Sequence, residues 1–432
     1  MEPETSPVAT PWSLTHLLVF RFFFAYWLLY LFPSTVSVVV PLDWLNALID
    51  DSFAGLVTWF GHHILGIDGT INTAPTGSGD RLFDYIGTLL QVILAVLAAG
   101  IWSAIDRGRA DHRRLNDRIR TWVRYGLGTT LIAYGLVKLV QLQFPFPHGG
   151  RLIEPYGESS PMGLLWTFMG YSTPYNVFIG GAEAIGGFLL FFRRTTVLGA
   201  CVSVGVMGNV VMLNFCYDVP VKLYSSHLLF MAIFLLAPHG RRLVHFFVLG
   251  RTVEPGPGRV PFASLRLERA RPYLKAVFII WFMYHEISAN LERQGHDMQR
   301  ADRNELAGLY TVATVVSDGA ERPPLITDGP RWYLVHVTTY KGTGAVNARR
   351  MDGAMERFHA TFDVVDKKLS LTERSPGERA YELTYSWLSQ DRLRLVGTVD
   401  GAPVTMEWQV TERSFLLVER GFHWISEHPF NR

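Results

Sequence analysis

Over the first two-thirds of the chain, long apolar runs alternate with short polar stretches. Beyond about residue 290 charged residues recur every few positions, and no run there could cross a bilayer. A helix needs about 20 mostly apolar residues to span ~30 Å of hydrocarbon. Seven runs approach or exceed that length: residues 14–32, 82–105, 122–144, 175–192, 197–215, 223–237 and 273–288. The pattern predicts an α-helical polytopic membrane bundle of about seven spans over residues 1–290. A linker over 291–305 and a C-terminal all-β meander barrel over 306–432 follow. Residues 42–65 are apolar only in part, and ionised Asp50 and Asp51 would be costly in lipid. This stretch is expected to lie on the outer membrane surface as an amphipathic helix.

In the C-terminal third, β-type segments fall at 310–316, 332–338, 358–364, 369–372, 381–385, 393–399, 404–410 and 415–418. From Val404 to Val410 apolar and polar side chains alternate without a break, so one face is buried and the other wet. Asp400–Gly401 between two such segments signals a tight hairpin. Eight strands can close an up-and-down barrel, whose interior is either filled by side chains or left open to one small ligand. Both interiors remain open on sequence. The closing stretch GFHWISEHPFNR, with His423, Glu427 and His428, is expected to plug the barrel or lean on the membrane domain.

Charge adds orientation. The chain carries 40 Lys and Arg against 38 Asp and Glu, so what matters is where they sit. Arg107, Arg109, Arg113, Arg114, Arg118, Arg120 and Arg124 follow the second run; Arg193 and Arg194 follow the fourth; a third arginine cluster precedes the seventh. Short cytoplasmic loops collect Lys and Arg, so these three loops are expected inside, with the N-terminus, and the barrel outside. The first run should remain as an anchor, because Arg21 interrupts it and no basic residue precedes it. The basic residues report membrane orientation, and no nucleic-acid partner is expected. Cys201 and Cys216 lie fifteen positions apart on one helix, a rise of ~22 Å, too far for a disulfide.

Ionisable groups at membrane depth mark either buried pairs or sites. Arg21 and Glu183 fall near the middle of their runs and form a candidate ion pair. Tyr134, Lys138 and Gln141 share one helical face toward the outer leaflet. Asn209, Asn214, Asp218, Lys222, Ser226, His227, His285 and Glu286 come from other spans at that depth, which points to an outward-opening polar site. The core of that candidate site is Tyr134, Lys138, Glu183, Asn209, Asp218, Lys222 and His227. A lid would consist of Glu154, Tyr156, Gly157, Ser159 and Ser160 with Trp166, since Pro155, Gly157 and Pro161 break regular structure there. Gly180, Gly181, Gly186 and Gly187 read as close helix packing. Adjacent His62 and His63 point to different sides of a helix, so no metal site is expected there.

The segments YGLVKLVQLQFPFP from Tyr134, PYGESSPMGLLWTFMGYSTPY from Pro155, GGAEAIGGFLLFFRRTTVLGA from Gly180, NVVMLNFCYDVPVKLYSSHLL from Asn209 and APHGRRL from Ala237 stand in this order. The arrangement resembles bacterial DoxX-type membrane proteins over residues 122–239, with Lys138 and Glu183 at the family's recurrent polar positions. The resemblance implies a multi-pass protein of the bacterial cytoplasmic membrane, associated with an oxidoreductase. Gly308–Leu309–Tyr310 is similar to the glycine–x–tryptophan opening of lipocalins. Two functions follow as expectations. One is a quinone-interacting, redox-linked membrane subunit, its quinone drawn from the bilayer and its electrons from a protein partner. The other is a non-catalytic envelope scaffold that binds lipid or a partner. No flavin, haem, nucleotide or dithiol motif accompanies either.

Overall fold

A computed structural model of the protein describes residues 11–39, 42–253, 264–300, 305–327, 331–340, 342–373 and 379–431. The chain divides into two compact units, Met1–Val137 with Phe178–Glu286, and Lys138–Val177 with Ile287–Arg432. The helices are α1 Leu14–Val39, α2 Asp43–His63, α3 Leu82–Ile105, α4 Arg113–Leu139, α5 Gly149–Leu152, α6 Pro161–Tyr171, α7 Thr173–Leu190, α8 Thr196–Cys216, α9 Lys222–Leu236, α10 Gly240–Phe247, α11 Leu265–Arg300 and α12 Leu416–Glu419.

Among the described residues, four segments are helical, long and apolar enough to cross a membrane: Leu14–Pro33, Leu82–Ile105, Arg193–Cys216 and Lys222–Phe247. The first unit is built around α1, α3, α4, α8 and α9, with Trp27, Leu127, Leu131, Ala200 and Leu235 in one buried cluster. Glycines set how closely α4 and α7 approach. A Cβ on Gly135 would meet the Gly180 carbonyl oxygen at 2.6 Å, and one on Gly187 would meet that of Gly128 at 2.6 Å. Gly186 packs on α8 near Ser203, whereas Gly181 faces open space. The helix over 42–65 forms as α2, with Asp50 and Asp51 exposed and Val57 and Phe60 packed on Ile86 and Leu90 of α3. Cys201 and Cys216 both lie on α8 and are both free. His62 and His63 turn to separate carbonyls, those of Ile67 and Trp59.

The second unit holds the sheet: β1 Gly308–Ser317, β2 Ala320–Glu321, β3 Trp332–Tyr340, β4 Thr343–Arg350, β5 Met355–Asp363, β6 Lys368–Glu373, β7 Ala380–Trp387, β8 Arg392–Val399 and β9 Ala402–Val410. All pairings are antiparallel, and β1 pairs with both β3 and β9, so eight strands close a barrel with β2 as a short addition. Period-two alternation sends Phe358, Ala360 and Phe362, then Tyr381, Leu383 and Tyr385, then Val404, Met406 and Trp408 inward. The interior is therefore largely filled by side chains, with Trp332, Trp408, Tyr310 and Phe358 in one cluster. Asp400 and Gly401 turn β8 into β9 with φ of 50° and 85°, the left-handed pair that a two-residue hairpin requires.

Two strand expectations are corrected. Residues 415–418 are not the eighth strand; Leu416–Glu419 is a helical turn, and β9 has already closed the barrel on β1. The remaining strand is β4, which the sequence reading passed over. The stretch 138–177, expected with the membrane bundle, groups with the barrel. There α5 packs on β3, and a Cβ on Gly149 would overlap the His336 ring.

Candidate functional site

In the first unit, polar side chains from four helices converge in apolar surroundings. Tyr26 and Tyr30 stand one turn apart on α1, hence on one face. The Tyr26 hydroxyl lies 2.5 Å from His227 Nε2 on α9, and His227 Nδ1 lies 2.8 Å from the Leu223 carbonyl oxygen. A carbonyl can only accept, so Nδ1 carries the proton and Nε2 accepts from Tyr26. Tyr30 stacks on the imidazole, with centroids 4.5 Å apart and planes 5° from parallel. Tyr224 brings its ring 6.2 Å from that of Tyr134 on α4 and bonds Thr130. Tyr30 is within electrostatic reach of Tyr26, Tyr134 and Tyr224, and Tyr134 within reach of Glu183 on α7. Tyr26, His227 and Glu183 are buried, whereas Tyr134 is 41% exposed. The cluster therefore runs from a solvent- or lipid-accessible edge at Tyr134 to a buried tyrosine–histidine pair.

A second polar group stands at the N-terminus of α9. Asp80 accepts from the Lys222 and Leu223 backbone N–H groups, both at 2.9 Å, and so caps the helix. The Lys222 ammonium lies 2.8 Å from Asp218 and 3.6 Å from Asp80. These residues hold the α8–α9 connection, and the Asn214 amide, donating to Ser225 Oγ at 3.0 Å, ties the two helices together.

Of the residues singled out on sequence, Tyr134, Glu183 and His227 are brought into the tyrosine–histidine cluster. Asp218 and Lys222 sit in the capping network, and Asn209 lies on the exposed face of α8, in neither group. Lys138 is buried in the last turn of α4 and belongs to the second unit, Glu183 to the first. The lid residues serve the second unit. The Glu154 carboxylate bonds Arg151 and, at 2.8 Å, Arg357 of β5, so it ties this segment to the barrel. Ser160 caps α6 by accepting from Gly163 N–H at 3.0 Å, and Trp166 packs edge-on to Phe144 at 5.0 Å. Tyr156 and Gly157 are exposed and Ser159 is half-buried.

The Arg21–Glu183 pair is corrected. Arg21 donates to the Asp106 carbonyl oxygen at 2.8 Å, stands 3.4 Å from His112 Nε2, and lies over the Trp102 ring. Because α1 starts at Leu14, Arg21 is only two turns, ~10 Å, from its beginning, level with the end of α3 rather than at mid-depth. It stabilises a helix C-terminus, as Arg120 does by donating to the Leu235 carbonyl oxygen at the end of α9. Sequence reasoning missed Tyr26, Tyr30, Tyr224 and Asp80. The spacing of Tyr26 and Tyr30 on one face of an otherwise apolar helix was the available signal.

No known family profile matches the chain. It is 30% identical over 145 residues to the uncharacterized protein YwoB of Bacillus subtilis (strain 168), a match covering 33% of this chain and 91% of YwoB. The chain and YwoB belong to one family. Two-thirds of the present chain lies outside the part shared with YwoB. Among solved structures, a redesigned β-barrel is 21% identical, with a TM-score of 0.20, over 26% of this chain and 96% of its own.

Proposed function

We propose that the chain is a DoxX-like multi-pass membrane protein whose helical unit holds a quinone at the tyrosine–histidine cluster, as a redox-linked subunit. About seven spans would place the N-terminus in the cytoplasm and the barrel outside. The observation that carries the reading is the fixed tautomer of His227: with Nδ1–H pinned on Leu223 O, Nε2 is poised to exchange a proton through the Tyr26 hydroxyl. A quinone needs apolar walls and hydrogen-bond donors for its carbonyl oxygens. Tyr26, Tyr30, Tyr134 and Tyr224 supply hydroxyls, and Phe22, Trp27 and Phe230 supply aromatic surface. The quinone would bring the redox couple, and a protein partner the electrons.

Extraction of lipids and quinones from the purified protein, followed by mass spectrometry, tests this. A stoichiometric quinone in wild type, reduced at least tenfold in His227→Phe, is expected; its absence from wild type refutes the reading. A second reading, an envelope protein that binds its ligand through the barrel, is favoured by a cavity at one barrel end lined by Arg331, Trp332, Tyr381 and Met406. A ligand recovered from the barrel alone would select it.

A further inference from the structure

One end of the barrel is built differently from its filled interior. The C-terminal ends of β1 and β8 and the N-terminal ends of β3, β7 and β9 surround a cavity of about 230 Å³. Among the described residues, Arg322, Arg331 and Arg379 line it, with Asp400 as the one lining carboxylate; the wall includes Trp332 and Met406, and Tyr381 brings a hydroxyl. We propose that this cavity binds a small organic carboxylate, its head group among the three guanidinium groups and its short apolar body against Trp332 and Met406. This goes beyond the quinone reading and does not depend on it.

The arginines are positioned by the barrel. Arg331 is almost fully buried, and one terminal nitrogen donates to the Ala313 carbonyl oxygen at 2.9 Å while the other lies 3.8 Å from Met351 Sδ. Behind the cavity the buried Glu356 carboxylate accepts from Trp332 Nε1 at 2.7 Å and from Arg379 and Arg350 at 3.1 and 3.3 Å. Glu356 thus holds two groups that line the cavity, the Trp332 indole and the Arg379 guanidinium. Asp400 is itself engaged, accepting from the Ala380 N–H at 3.0 Å. Burial, then the Glu356 charge, raises the Tyr381 pKa above the ordinary tyrosine range, so its hydroxyl stays a donor. Planar guanidinium forks match the two oxygens of a carboxylate.

Size sets the rest of the ligand. A cavity of ~150 Å³ holds benzene, so about 230 Å³ takes a ring with a carboxylate, roughly ten non-hydrogen atoms.

Phenylacetate is the probe, titrated calorimetrically into the full-length protein in lipid nanodiscs. Its neutral counterpart 2-phenylethanol and inorganic phosphate are the comparison ligands. Saturable one-to-one binding of phenylacetate is expected, about tenfold or more tighter than either comparison ligand. Arg379→Gln should weaken it about tenfold, and Val399→Phe, which fills the cavity without altering charge, should abolish it, each judged on protein whose thermal transition is intact. The second variant keeps the test decisive if the first fails to fold. Absence of saturable phenylacetate binding overturns the proposal. So does equal affinity for the alcohol, equal affinity for phosphate, or undiminished binding in a folded Val399→Phe protein.

Discussion

Acidification should loosen the packing of α5 on the barrel through one side chain, His336. Its ring lies between Gly149 and Gly150 of α5 and the β4 residue Asn347, and its buried Nδ1 has no hydrogen-bond partner among the described residues. Burial, then the neighbouring His148, lowers its pKa from 6.5 to about 4. A proton there would add a charge and a second buried N–H. Because the folded-state pKa lies below the unfolded one, the neutral ring's contribution is fully present above pH ~6.5. It is lost as pH falls toward about 4 and changes no further below that. The full shift corresponds to about 3 kcal/mol, and water at the partly exposed ring edge trims it to about 2 kcal/mol. His336→Leu keeps apolar bulk and removes the titration. Chemical denaturation of both proteins between pH 7.5 and 4.5, read by barrel tryptophan fluorescence, isolates the term, since the remaining carboxylates titrate in both. The stability difference between wild type and variant should fall by about 2 kcal/mol across that range. Parallel pH curves, or an imidazole pKa near 6.5 by NMR, would refute the reasoning.

Further outcomes follow from single contacts. Gly397→Ala would drive a Cβ into the Glu382 carbonyl oxygen between β7 and β8, and should destabilise the barrel by about 2–3 kcal/mol in equilibrium unfolding. Asp80→Ala removes the cap of α9 and should cost about 1–2 kcal/mol in thermal unfolding; no change would mean that the cap is replaced by water. In double-mutant cycles Arg21→Met should couple to His112→Phe by about 0.5–1 kcal/mol and add simply with Glu183→Gln. Reporter fusions after Arg118 and after Asp400 should face opposite sides of the membrane, and the same side for both would mean an odd error in the span count.

The barrel was legible where strands alternate strongly. Seven of the eight expected segments, Val404–Val410 being the clearest, coincide with strands. β4 escaped because only Val346 and Ala348 of TGAVNARR are fully buried, too little apolar contrast to register as alternation. Phe415–Leu416–Leu417–Val418 misled for the opposite reason: four apolar residues suit a strand or a helical turn, and only ring closure elsewhere decides between them. In the helical unit, His227, Tyr134 and Glu183 stood out because polar groups are conspicuous in apolar runs. Tyr26 and Tyr30 did not, since tyrosine blends into an aromatic helix. Arg21 was misassigned because depth was judged from the apolar run, while its partner is the backbone carbonyl of Asp106, which sequence cannot display. Glu154 looked like part of a lid because loop chemistry gives no hint that its ion pair lies some two hundred residues away, on Arg357.

The central claim is that the tyrosine–histidine cluster is a ligand site and not a satisfied core contact. The most direct test is titration of a short-chain ubiquinone into the nanodisc-embedded protein, followed by tryptophan quenching in wild type and in His227→Phe. The account predicts saturable quenching at one quinone per chain in wild type and only the linear, partition-driven component in the variant. Linear quenching of equal slope in both proteins would contradict it.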